Sequence, residues 1–105
     1  MQRRITDVIM SLHEGEVVSY GDIAEVAGFP GRSRLVGRLL AVGGQDLPWW
    51  RVVTASGRLV PGQERRQRRM LADEGVEVTA TRVVQSPSGR FARQASPSRS
   101  RRTDT

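Results

Sequence analysis

The chain has 105 residues, no Cys, one His and a net charge of +6 at pH 7, and all 17 of its basic residues are Arg. That length fits one domain with a modest core, and the lack of Cys excludes a disulfide framework, thiolate chemistry and sulfur-bound zinc. His13 alone cannot build a histidine metal cluster, no apolar run approaches the roughly 18 residues of a membrane span, and the apolar stretch of MQRRITDVIM is too short for a secretory signal, so the expectation is a cytoplasmic protein with no metal, no cofactor and no membrane partner.

Residues 2–14 read as a helix, because Ile5, Val8, Ile9 and Leu12 recur at i, i+3, i+4 and i+7 and form one apolar stripe. Gly15 is its stop, and His13 falls in its last turn as a surface helix-end His. VVSYGDIAEVAG gives a short extended piece and a second helix. Ser19 is its N-cap, Asp22 completes a capping box, and Gly28 ends it; Ile23, Ala24, Val26 and Ala27 face inward. FPGRS is turn chemistry. SRLVGRLLAVGG is a third helix, capped by Ser33 and ended at Gly43 and Gly44. Leu35, Val36, Leu39 and Leu40 face inward, while Arg34, Gly37, Arg38 and Ala41 share the opposite face. Two short helices about a glycine-containing turn make a helix-turn-helix pattern.

QDLPWWRVV places Trp49 and Trp50 side by side, and on an extended segment their rings point opposite ways. TASGRLVPG alternates like two short strands around Ser56 and Gly57, a β-wing. QERRQRRMLADEG is a fourth helix with Met70 and Leu71 inward; its arginines at 65–69 are most simply a solvated face, with phosphate contact the second reading. VEVTATRVV alternates as one strand. From Ser86, SPSGRFARQASPSRSRRTDT has no periodicity and reads as a disordered basic tail. The expected architecture is mainly α with a small β wing, a winged helix-turn-helix, over residues 1–85, followed by the tail at 86–105.

Charge is polarised along this order. Residues 29–71 hold nine Arg against two acids, the first 28 hold two against five, residues 72–85 hold one against three, and residues 86–105 hold five against one. A basic middle between acidic flanks suits a polyanion such as nucleic acid, and it also suits a solvated Arg-rich surface.

The order and spacing of GEVVSYGDIAEVAG, SRLVGRLL, LPWWRVV and LADEGVEV resemble the DNA-binding domain of the O6-alkylguanine-DNA alkyltransferase family over about residues 1–80. Where the active enzymes carry Pro-Cys-His-Arg, this chain has Pro48, Trp49, Trp50 and Arg51. Trp in place of the alkyl-accepting Cys marks the alkyltransferase-like branch, which binds the lesion without repairing it. The chemistry agrees: alkyl transfer needs a thiolate or comparable nucleophile beside a base, and indole is neither.

The resemblance implies a lesion pocket walled by Trp49, with Trp50 either packed in the core or narrowing the pocket, and Arg58 as the loop arginine against the base. It implies Tyr20 as the residue that presses on the 3′ phosphate and helps turn the nucleotide out. Arg34 is then the finger that fills the gap, with Ser33, Gly37 and Arg38 beside it on the DNA face. Pro48, Arg51 (an ion-pair partner) and Glu74 are structural neighbours of the site. Trp50 stands where close relatives keep His, and GGQD replaces the family's hinge Asn. The implied protein is a monomeric, non-enzymatic sensor that binds duplex DNA containing O6-alkylguanine, flips the base into the pocket and flags it for nucleotide excision repair proteins. The rival from another class is a helix-turn-helix transcription regulator. It would need major-groove readers such as Asn or Gln on the third helix; SRLVGRLLAVGG has none, and Gly37 and Ala41 suit close backbone approach.

Overall fold

The computed structural model describes residues 1–93. Helix α1 (Gln2–Met10) buries Ile5 and Ile9. It stops at Met10 and not at residue 14, because Ser11 turns its hydroxyl onto the Val8 carbonyl at 2.6 Å and competes with the helix ladder. Leu12 is still buried, but His13 lies beyond the helix, exposed and 3.2 Å from the Glu16 carboxylate.

Strand β1 (Glu16–Ser19) turns Val17 and Ser19 inward and leads directly into α2 (Tyr20–Val26). Ser19 accepts the Asp22 amide and Asp22 accepts the Ser19 amide, each at 3.0 Å, which closes the capping box. Val26, expected inward, is 73% exposed; Ile23, Ala24 and Ala27 already occupy the buried arc of this short helix. A turn at Phe29–Arg32 brings the chain to α3 (Ser33–Gly43). Ser33 is not its cap: Arg32 holds that position without a side-chain bond, and Ser33 is the first helical residue, exposed. The first three helices enclose a core that includes Ile5, Ile9, Ile23, Val36 and Val52.

Two turns of 3-10 helix, Gly44–Asp46 and Trp49–Arg51, carry the chain from α3 to β2 (Val52–Val53). The tryptophans therefore sit on a coiled turn and not on an extended segment. Helix α4 (Glu64–Asp73) follows, then β3 (Glu77–Val78) and β4 (Val83–Gln85). The VEVTATRVV run, expected as one strand, is this antiparallel β3–β4 hairpin. Thr79 breaks it by accepting the amides of Thr81 and Arg82 on its hydroxyl. The wing also differs from expectation: the segment after Ser56 and Gly57 pairs through Arg58 with Arg82 of the hairpin, and it is tied back to its own preceding residues at Thr54, whose amide donates to the Arg58 carbonyl at 3.3 Å. Val17, Val53, Leu59, Leu71, Val76 and Val83 form a second core beneath it.

The chain from Ser86 is folded as far as it is described, so the domain extends past residue 85. Strand β5 (Ser88–Gly89) joins β1 in parallel, giving the sheet order β2-β1-β5. Ser86 is 3% exposed, and the Arg90 amide donates to the Val17 carbonyl at 2.9 Å. Gly89 has φ 89°, and a Cβ there would collide with the Val17 carbonyl. These are backbone bonds with no hydropathy signature, which is why composition gave no sign of them. The rest of the expected tail, residues 94–105, lies outside the described residues. Among the described residues no helix is long and apolar enough to cross a membrane, and no cluster of His, Asp or Glu could hold a metal ion.

Candidate nucleic-acid interface

A cleft of about 340 Å³ opens between α3 and the segment that enters α4. Gly37, Leu40 and Ala41 of α3 form one wall with Tyr20 at the start of α2. Trp49 stands at the back, and Val60, Pro61, Gln63 and Arg66 form the opposite lip. A Cβ at Gly37 would only touch the Tyr20 ring, at 3.9 Å, so glycine here keeps the wall low and does not relieve a clash. Burial raises the Tyr20 pKa, so its phenol stays neutral, able to donate or accept a hydrogen bond.

The two indoles meet edge to face, with centroids 6.2 Å apart and planes at 88°. Trp49 faces the cleft, and the Arg66 guanidinium lies 5.6 Å from its ring centroid, within cation–π range. Trp50 does not line the cleft. It packs against the second core and donates Nε1–H to Glu74 at 2.8 Å.

Glu74 gathers the groups behind the site. It accepts the Gly15 amide at 2.8 Å and Arg51 through Nε at 3.0 Å and Nη2 at 2.7 Å. Arg51 also donates to the Leu12 carbonyl at 3.0 Å and lies 5.2 Å from the Trp50 ring centroid. Burial alone would raise the Glu74 pKa, but hydrogen bonds from Arg51, the Gly15 amide and Trp50 outweigh it and hold the carboxyl below its usual range. The carboxylate is thus ionised, and both its oxygens are occupied. Pro48 precedes this turn at φ −75° and ψ 62°.

Gln67, which sequence reasoning missed, is fully buried on α4. Its Oε1 accepts the Val60 amide at 2.8 Å, and its Nε2 donates to the Trp50 carbonyl at 3.1 Å. It ties the lip of the cleft to the turn that carries Trp49. The available signal was its place one helical turn before Leu71, on the inward face of an otherwise Arg-rich helix.

Arg58, expected in the pocket, is not there: it is exposed on the wing opposite Arg82. The cleft arginine is Arg66, from the Arg run whose simplest reading in the sequence is a solvated helix face. The loop after Arg58 turns into α4 at Glu64, which brings the first turn of that helix to the cleft. Arg34 and Arg38 are exposed on α3, as is Ser33 at its first turn.

Fold and cleft together define a class: a small, mainly helical DNA-binding domain with its pocket between the third helix and the entry to the fourth. The chain belongs to the family of the 6-O-methylguanine DNA methyltransferase DNA-binding domain, which it matches over residues 1–76. It is 40% identical over 80 residues to the DNA base-flipping protein of Vibrio parahaemolyticus, covering 72% of this chain and 80% of that one. It is 39% identical over 83 residues to the DNA base-flipping protein of Escherichia coli, covering 75% of this chain but only 64% of the longer relative. The crystal structure of Schizosaccharomyces pombe Atl1 in complex with damaged DNA containing O6-carboxymethylguanine has the same fold, with a TM-score of 0.68 and 27% identity over 78% of this chain and 84% of that one.

Proposed function

We propose that this protein is a non-enzymatic sensor of O6-alkylguanine in duplex DNA, which turns the damaged nucleotide out of the helix and holds its base against Trp49. The observation that carries this reading is the cleft. At about 340 Å³ it is of ligand-pocket size, and an indole stands at its back where a repairing relative would need a thiolate. The chain has no Cys to accept an alkyl group, and Glu74 is committed to Arg51, Trp50 and Gly15.

In this reading Arg34, exposed on α3, enters the duplex and fills the space the base leaves, and Tyr20, in the cleft lining, presses on the backbone. Extrusion costs a few kcal/mol, and less for a mispairing base, so selection begins before the pocket is reached. The names of the base-flipping relatives and the damaged-DNA complex of the yeast protein support the reading. A complex that does no chemistry persists, and we read it as a monomeric cytoplasmic flag for nucleotide excision repair.

Matched duplexes carrying guanine or O6-methylguanine at one position test this. The lesion duplex should bind at least tenfold more tightly, comparable to one stacked base, and mass spectrometry after long incubation should find the methyl group still on the DNA. Equal affinity for the two duplexes, or loss of the methyl group, would overturn it.

A further inference from the structure

Arg58 and Arg82 oppose each other across the wing in an antiparallel bridge. The backbone bonds flanking them run from the Leu59 amide to the Thr81 carbonyl at 2.9 Å and from the Val83 amide to the Gly57 carbonyl at 2.8 Å. That pattern makes them a non-hydrogen-bonded pair, the kind whose Cα atoms approach to about 4.5 Å and whose side chains are nearest. Leu59 and Val83, the next residue in each segment, are buried in the second core, so both arginines stand on the opposite, solvent face.

Like charges placed directly opposite destabilise a sheet. Neither guanidinium has a carboxylate partner among the described residues. The nearby hydroxyls of Thr54 and Thr79 are taken by the backbone amides of Arg58 and Arg82. The backbone holds the pair together in spite of its charge. At Gly57, with φ 91°, even a Cβ would come within 2.7 Å of the Val83 carbonyl. What the pair lacks is an anion.

Its place beside the cleft indicates which anion. The chain runs from Arg58 through Leu59 to Val60, which lines the cleft. With Leu59 in the core, Arg58 shares the face of Val60 by the two-residue period. Two extended residues span about 7 Å, and nucleotides advance about 3.4 Å along the duplex axis. A duplex with one base in the cleft therefore passes the pair within a few nucleotides.

We infer that Arg58 and Arg82 form a clamp on one phosphodiester of the DNA backbone near the flipped nucleotide. Two guanidinium forks on one phosphate convert mutual repulsion into shared charge-assisted hydrogen bonds. The inference rests on the reading that DNA lies across the cleft, but it concerns affinity for any duplex and not the choice of lesion.

The test titrates lesion and undamaged duplexes with the full chain, with Arg58→Ala, with Arg82→Ala and with the double variant, across a range of salt. Each single variant should bind both duplexes roughly fivefold more weakly, the loss of a hydrogen bond to a charged group. Its log–log salt slope should fall by about one. The double variant should be little weaker than either single one, because both arginines serve the same phosphate. Melting midpoints should hold or rise, since a facing like charge is removed. Replacing phosphates one at a time by neutral methylphosphonates should reveal one linkage that matters to the native chain and not to the double variant. Unchanged affinity, fully additive losses or a loss confined to the lesion duplex would overturn the clamp. So would stabilisation of the native chain alone by inorganic phosphate with DNA affinity unchanged, which would make the pair a free-phosphate site. The two readings fail separately: equal affinity of the native chain for both duplexes strikes the sensor, and unchanged affinity in the variants strikes the clamp.

Discussion

Trp49 and Trp50 share one helical turn, with ring centroids 6.2 Å apart, yet their surroundings differ in kind. Behind the turn, Trp50, Arg51, Glu74 and the Gly15 amide satisfy one another, and Gln67 holds the Trp50 carbonyl. In front, the Trp49 indole makes no hydrogen bond among the described residues, and its neighbours across the cleft are Gly37, Ala41, Val60 and Pro61. Its cation, Arg66, is an exposed helix side chain. A buried and fully matched polar network fixes a backbone more firmly than apolar contact alone. The closed side thus supplies the rigidity that lets the open side present an aromatic face whose cover is the exposed Arg66 side chain and not a packed core, which suits a preformed binding site.

The comparison breaks most severely at Glu74. Glu74→Ala leaves Arg51, whose side chain is only 14% exposed, with an unpaired charge, and it takes the acceptor from Trp50 and Gly15. The expected loss is about 3 kcal/mol, a fall in melting midpoint of about 10–20 °C, read by calorimetry. The linkage to pH has a definite sign. The folded-state pKa of Glu74 is depressed, so its contribution is complete above the unfolded pKa and is lost as pH falls through the folded one. The stability advantage of the native chain over Glu74→Gln should therefore shrink below about pH 4. An advantage that stayed constant down to strong acid would mean that the charge on Glu74 does not hold this side together.

Trp49→Ala should do the reverse. Its ring is half-buried against the cleft, so the chain should unfold within about 1 kcal/mol of the native protein. Affinity for the O6-methylguanine duplex should drop at least tenfold, because stacking on an aromatic ring is worth about 1–3 kcal/mol per base. Affinity for undamaged duplex should change little. Full lesion preference in Trp49→Ala would show that the open side is not the reader.

What the sequence reveals and what it hides follow the same division. The apolar stripe of α1 and the Ser19–Asp22 capping box are local patterns, and both are legible, although the stripe overstates the length of α1. Family resemblance picked out Tyr20, Trp49, Arg51 and Glu74, which the fold places around the Trp49–Arg51 turn and its cleft. The tie from Glu74 to the Gly15 amide spans 59 residues, and no local spacing could have suggested it. Arg66 was hidden for another reason: with neighbours Arg65, Arg68 and Arg69 it has a common signature, and only the angle at which α4 leaves the loop decides which arginine meets Trp49. Alternation misled at the tryptophans because it presumes a strand, and Pro48 starts a 3-10 turn instead. Strand β5 is two residues long, too short to carry any period.

The smallest expected effect separates the last described residues from those after them. Residues 86–93 belong to the closed side: β5 bonds to β1, and Arg90 grips both carboxylate oxygens of Asp22 at 2.8 and 2.9 Å. That hydrogen bond is the leading cause of the lowered Asp22 pKa, and Asp22 in turn caps the helix that begins with Tyr20. The pair is partly exposed, with 40% and 27% of the two side chains accessible, so it contributes less than about 1 kcal/mol, and the backbone bonds of β5 add to it. Residues 94–105 carry three Arg and one Asp, and so add charge to the chain. Ending the chain after Arg93 should leave the melting midpoint and the lesion preference unchanged. It should weaken binding to every duplex alike and flatten the log–log salt slope by at most about three, because phosphate contacts add affinity without selectivity. Ending it after Gln85 should reproduce that loss and also lower the midpoint by a few degrees. Salt titrations on lesion and undamaged duplexes, with thermal melts of both truncations, separate the two contributions. If the shorter cut alone, after Arg93, removes the lesion preference, those last residues take part in reading the base and the open side extends beyond the cleft.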